Sequence, residues 1–159
     1  MRHLITAGLL ACALSAHGAD ALPPYLTGTW GTAASLHEGT EKQANIYLLP
    51  DGFGALAGST SAPRRADGVD DGKPAPRGIV GLPILATLDG DTLTARLFLP
   101  DTLSAAEVKG AASIRIICRY QQAGPVMTCT GLDGAPTVMK RHSDTTPPDL
   151  ISLRDSMRH

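Results

Sequence analysis

The chain has 159 residues, a formal net charge of −1 and 4% aromatic residues. That length suits one domain and is short for two. A net charge near zero with no run of like charges lacks the basic footprint expected for nucleic acid or anionic membranes, and a core this poor in aromatics must be built from Leu, Ile, Val, Ala and Met.

The N-terminus carries a targeting message. Met1-Arg2-His3 is a short basic start, and Leu4 to Ala16 is apolar or small, the length of a signal h-region and too short to span a bilayer. Ala19-Asp20-Ala21 is a small-x-small cleavage site followed by Leu22-Pro23-Pro24. The pattern predicts a signal peptide over 1–21, a domain over 22–142 and a tail over 143–159. The mature protein is expected in the periplasm or secreted, with no transmembrane segment. Leu9-Leu10-Ala11-Cys12 also resembles a bacterial lipobox, which gives the alternative of an outer-membrane lipoprotein anchored through Cys12. Cleavage at Ala21 leaves Cys118 and Cys129, and an even pair in an oxidising compartment reads as a disulfide.

Strand signals then follow one another. Gly28–Ser35 reads as the first strand, followed by a connection over Leu36–Lys42. Ala44–Leu49 and Phe53–Ser59 flank Pro50-Asp51-Gly52, where proline presets φ and glycine supplies the left-handed exit. Setting Leu49 against Phe53 pairs Ile46 with Leu56. The connection Thr60–Arg77 is long and rich in Pro, Gly and charge, so it is either a disordered segment or a functional lid.

Asp91 to Leu99 alternates Leu93, Ala95, Leu97 and Leu99 with Thr92, Thr94, Arg96 and Phe98, the period of a half-buried strand. A type I′ turn at Asp89-Gly90 would set Ile84 against Ala95 and Leu82 against Leu97, with Pro83 outward at an edge or bulge. After a loop over Pro100–Gly110, Ala112–Gln121 and Val126–Leu132 form a third hairpin. Pro125 cannot donate a turn hydrogen bond, so a four-residue loop places Gln121 opposite Val126, Tyr120 opposite Met127 and Cys118 opposite Cys129. If Gln121–Val126 is a hydrogen-bonded pair, the cysteines form a non-hydrogen-bonded one, where side chains approach more closely. Thr137–Arg141 is the last strand. Thr145-Thr146-Pro147-Pro148 stops it, and Asp149 can cap a short helix bearing Leu150, Leu153 and Met157.

Eight strands in simple succession give an all-β, eight-stranded antiparallel up-and-down meander that closes into a barrel and so removes its edges. The even connections are tight turns and gather at one end. The long odd connections ring the other.

Leu26-Thr27-Gly28-Thr29-Trp30 resembles the Gly-x-Trp opening of calycin barrels, the lipocalins and avidins. The resemblance implies a lipocalin-like barrel with a C-terminal helix, in which Trp30 closes the narrow end and Arg141 packs on it. Asp51 to Gly58 is also similar to the second hairpin of avidins, but the tryptophans that sandwich biotin there are absent, since Trp30 is the only one. In size, signal peptide and single disulfide the chain also resembles periplasmic barrels that inhibit lysozymes or metalloproteases.

No catalytic constellation is visible. His37, His142 and His159 are widely separated, and no nucleophile elbow, phosphate loop or zinc signature is present. Asp67, Asp70 and Asp71 miss the alternate spacing of a calcium loop. No catalytic residue, metal or cofactor is therefore assigned, and the expectation is a non-enzyme. The inward set includes Leu82, Ile84, Leu97, Ile114 and Ile116, with Tyr120 as the polar handle, and these six are the candidate ligand-facing residues. Either side chains fill the barrel, as eight strands allow, or its mouth opens to a small apolar ligand. The function read from this is an extracytoplasmic binding protein for a small apolar ligand. The alternative is a protein-binding inhibitor or immunity-type protein acting through Thr60–Arg77.

Overall fold

The computed structural model describes residues 21–62, 76–100, 103–131 and 134–157. Residues 1–20, which hold Cys12 and nearly all of the expected signal peptide, and most of the Thr60–Arg77 connection lie outside the described residues. The elements in chain order are β1 (Gly28–Gly31), β2 (Ala44–Leu48), β3 (Phe53–Ser59), β4 (Ile79–Asp89), β5 (Thr92–Leu97), α1 (Ala105–Ala112), β6 (Arg115–Gln121), β7 (Val126–Thr130), β8 (Thr137–Ser143) and α2 (Asp149–Met157). Each strand pairs antiparallel with the next, and β8 pairs back onto β1, closing an eight-stranded barrel.

Period-two alternation decides the inside. Trp30, Ile46, Leu48, Ile84, Leu93, Ala95, Ile116, Met127 and Met139 are buried together in one cluster, joined by both cysteines. Their neighbours in sequence face outward, as the pleat requires. The Cys118–Cys129 disulfide lies inside the barrel as a directly opposed pair. Its Cα atoms are 3.9 Å apart, closer than the ~5.5 Å of a hydrogen-bonded antiparallel pair. The third hairpin has the expected register, Gln121 with Val126 and Tyr120 with Met127. In the first hairpin Ile46 pairs with Leu56, and Leu49 donates its N–H to the Phe53 carbonyl at 2.8 Å.

The β4–β5 hairpin differs from expectation by two residues. Ile84 pairs with Leu97 and Ala86 with Ala95, and the loop is Gly90-Asp91 rather than Asp89-Gly90. The cause is local. Only Gly90 takes a positive φ (60°), and no non-glycine residue among those described does so. Glycine at the first central position is what a type II′ turn requires, whereas type I′ would force positive φ on two residues. Because the shift is even, the inward set of side chains is unchanged. Pro83 sits in mid-strand on a closed barrel, not at an edge. Its carbonyl accepts from Phe98 N at 2.8 Å, so its missing donor falls on the β5 side, beyond the last β4–β5 pair at Ile84–Leu97.

Element boundaries also differ. The first strand ends at Gly31 rather than Ser35, and the last extends to Ser143. Where a loop and an early strand were expected, α1 forms and β6 starts only at Arg115. Ser104 and Glu107 make a capping box, the Ser104 hydroxyl accepting from the Glu107 N–H while the Glu107 carboxylate accepts from the Ser104 N–H. The Ser104 hydroxyl also donates to the Glu107 carboxylate at 2.6 Å, and this bond together with that from the Ser104 N–H holds the exposed Glu107 carboxyl below its ordinary pKa. α1 buries none of its residues, so capping and alanine propensity account for it more than packing does. By contrast α2 packs on the outer wall, with Leu150 buried against Leu49 and Phe53, and Arg154 pairs with Asp51 at 3.2 Å.

Candidate functional site

The two ends of the barrel are built differently. At the tight-turn end the segment from Leu22 to Thr27 folds across the opening as a plug. Leu22 and Leu26 are buried, and the Leu22 N–H donates to the Pro50 carbonyl at 2.7 Å. Trp30 is fully buried, and its Nε1 donates to the Leu26 carbonyl at 2.8 Å. Tyr120 meets Trp30 edge-on, with ring centroids 5.9 Å apart, and stacks on Tyr25 at 5.0 Å.

Arg141 is the register partner of Trp30 on β8. Its guanidinium donates to the carbonyls of Pro24 (2.8 Å) and Thr27 (2.8 Å) and pairs with Asp144 at 3.0 Å. The plug is thus fastened by Trp30 from within and Arg141 from the rim. Gly28 makes the junction possible: its φ is 107°, and a Cβ there would collide with the Ser143 carbonyl.

Among the described residues the opposite end is open. A cavity of about 510 Å³ lies at the mouth, and its lining includes Ala44, Leu56, Gly58, Val80 and Leu82. Val80 is 65% exposed and Leu82 40%, so these aliphatics face the opening rather than the packed interior. The polar lining is Thr32, Lys42, Gln43, Ser59, Thr60 and Thr137, in which Lys42 is the one ionisable side chain among the described residues. Below the mouth the barrel is packed by Ile46, Ile84, Ala95, Ile116 and the disulfide. Among the described residues the interior is thus packed below the mouth and the cavity lies at the rim.

One wall of the mouth is held by a side chain that sequence reasoning left inside a long loop. Arg77 Nη1 donates to the Glu41 carbonyl at 2.6 Å and approaches the Leu36 carbonyl and Ser59 Oγ, both at 3.5 Å, while Nη2 donates to the Gly39 carbonyl. A planar guanidinium with five donors suits this converging set, and an ammonium would not span it. Gln43 continues the rim. Its Oε1 accepts from Thr32 Oγ1 at 2.6 Å and its Nε2 donates to the Glu38 carbonyl at 3.0 Å.

The six candidate ligand-facing residues separate by depth. Leu82 lines the mouth cavity. Ile84 and Ile116 are buried in the packed interior, with Leu97 half-buried against it. Tyr120 belongs to the plugged end. Ile114 precedes β6 and is 45% exposed outside the cavity. Alternation shows which residues point inward, but the rung at which packing gives way to opening depends on the stagger between strands, and this is how Ala44, Leu56, Gly58 and Val80 escaped notice. A second, shallow depression of about 420 Å³ lies on the outer wall beside Tyr47, His142 and Thr145.

The geometry defines a class: a closed antiparallel barrel, stoppered at one end and, among the described residues, with an apolar cavity at the other. Compared with known protein families, curated proteins and solved structures, the chain matches none. The disulfide is compatible with an extracytoplasmic location, and among the described residues no helix is long and apolar enough to cross a membrane.

Proposed function

We propose that this is a non-enzymatic, extracytoplasmic, calycin-like binding protein that holds a small apolar ligand in its mouth. The observation that carries this reading is the mouth cavity itself. Its volume of about 510 Å³ falls in the range of small-molecule sites, and its aliphatic side chains with a few hydroxyl and amide groups support the reading. The plug at the other end makes the open mouth the ligand's entry. The packed interior limits depth, so the ligand lies across Leu56, Val80 and Leu82 and leaves part of its surface at the rim.

Gly58 offers a direct test. A Cβ there would meet nothing closer than the Gln43 carbonyl at 3.9 Å, so Gly58→Leu fills the mouth without a backbone clash. Titration with the neutral apolar fluorophore N-phenyl-1-naphthylamine should show saturable binding to the native protein and a loss of at least tenfold in the variant. Absence of saturable binding, or binding untouched by Gly58→Leu, would refute the reading. Native mass spectrometry of protein taken from its own envelope supplies a second test: a co-purified lipid-sized mass supports a carrier, and a bound protein supports an inhibitor.

A further inference from the structure

The register assembles a charged surface that neither composition nor net charge reveals. The outward side chains of β5–β8 include Arg96, Arg115, Arg119 and Lys140, all exposed. These four adjacent strands contain no Asp or Glu. Arg96 and Arg115 are direct cross-strand partners, and Arg119 stands opposite Thr92 on one side and Thr128 on the other. Lys140 stands opposite Val126. Among the described residues none of the four is ion-paired. The ion pairs found there join Arg141 to Asp144, and Arg154 to Asp51 and Asp155. The described acidic residues lie off these four strands, in the β1–β2 loop, the β2–β3 and β4–β5 turns, α1 (Glu107), the segment after β8 and α2.

Two arginines directly opposed on a sheet repel each other and destabilise the pair. Among the described residues no carboxylate pairs with either arginine, and an external anionic surface would offset that repulsion. Exposed Ile117 and Val138 lie among the cations, and the outward positions of these strands carry no aromatic residue. A protein interface, though arginine is at home there, would be expected to centre on aromatic anchors. A distributed set of cations around short aliphatics suits an array of phosphate headgroups.

We propose that the β5–β8 wall docks this protein on an anionic phospholipid surface, independently of whether the mouth binds a ligand. The net charge of −1 hides this surface because the described carboxylates lie off these four strands. Binding is electrostatic and should weaken as salt rises through the range where the Debye length falls below about 10 Å.

The test is co-sedimentation of the purified protein with vesicles of phosphatidylglycerol in phosphatidylcholine, against vesicles of phosphatidylcholine alone. The protein should bind the first and not the second. Each of R96Q, R115Q, R119Q and K140Q should weaken binding about five-fold, and the four together several-hundred-fold, at about one anionic contact each. The variant carrying R96K, R115K and R119K should bind as the native protein does, because a fluid headgroup array reads charge. Lys42→Gln, at the mouth, should leave binding unchanged. Failure to bind anionic vesicles at low salt, equal binding to phosphatidylcholine, or indifference to the quadruple substitution would overturn the proposal. So would cation-dependent binding to polyglutamate or duplex DNA while anionic vesicles stay unbound. A matched thermal melt shows that the quadruple variant is folded.

Discussion

Replacing Cys118 and Cys129 together with alanine tests how the barrel interior is held. The bridge spans a sequence separation of 11. Closing a loop of that size restricts the unfolded chain by about 3 kcal/mol at 25 °C in the chain-entropy picture. Both sulfurs are fully buried in the main core cluster, so their loss also leaves a small void, at about 24 cal/mol per Å³. Together these give a destabilisation of about 3–4 kcal/mol and a fall in melting temperature of roughly 10–15 °C for a domain of this size. Urea unfolding of both proteins under non-reducing conditions measures the difference. Because no sulfur is exposed, reduction of the native protein by dithiothreitol should also be slow until denaturant opens the barrel. A difference below about 1 kcal/mol would mean that the β6–β7 hairpin stays closed in the unfolded chain and that the entropic argument is wrong here. Two free thiols in the native mass would remove the bridge altogether.

Trp30→Ala should cost about 3–5 kcal/mol, since it empties a fully buried site and leaves the Leu26 carbonyl without its donor; chemical denaturation measures it. Arg77→Ala should loosen residues 36–43 by about 1–2 kcal/mol, seen as faster amide exchange there with the closed end unchanged, and Arg77→Lys should not restore protection. Glu107 has a folded-state pKa below its unfolded value, so the stability that it lends α1 is present above the ordinary carboxylate pKa of about 4.3 and is lost as pH falls through the lower folded value. Amide exchange in the first turn of α1 should accelerate over that acid range, and Glu107→Gln should flatten the dependence.

The barrel was legible because its signals are local and repeated. Pro50-Asp51-Gly52 and Gln122 to Pro125 each allow one loop length, so the registers around Ile46–Leu56 and Cys118–Cys129 follow from counting. Asp89-Gly90-Asp91 allows two, and the choice fell on the loop that places glycine first. α1 was missed because Ser104 and Glu107 sit in a stretch with no apolar periodicity, and the capping box was its only cue.

The site was less legible for a different reason. Leu82 could be singled out from alternation, but the mouth depends on which inward rung is left uncovered, a property of strand stagger. Arg77 acts through carbonyls 36 to 41 residues away, and backbone oxygens leave no sequence signature. The basic wall is hidden in the same way, since its four cations are brought together only by pairing β5 through β8.

Methyl NMR during titration with an apolar ligand tests the central claim most directly. The account predicts shifts concentrated at Ala44, Leu56, Val80 and Leu82, with Met127, Met139 and the plug residues Leu22 and Leu26 unmoved. Shifts centred on the packed interior or the plugged end would contradict it.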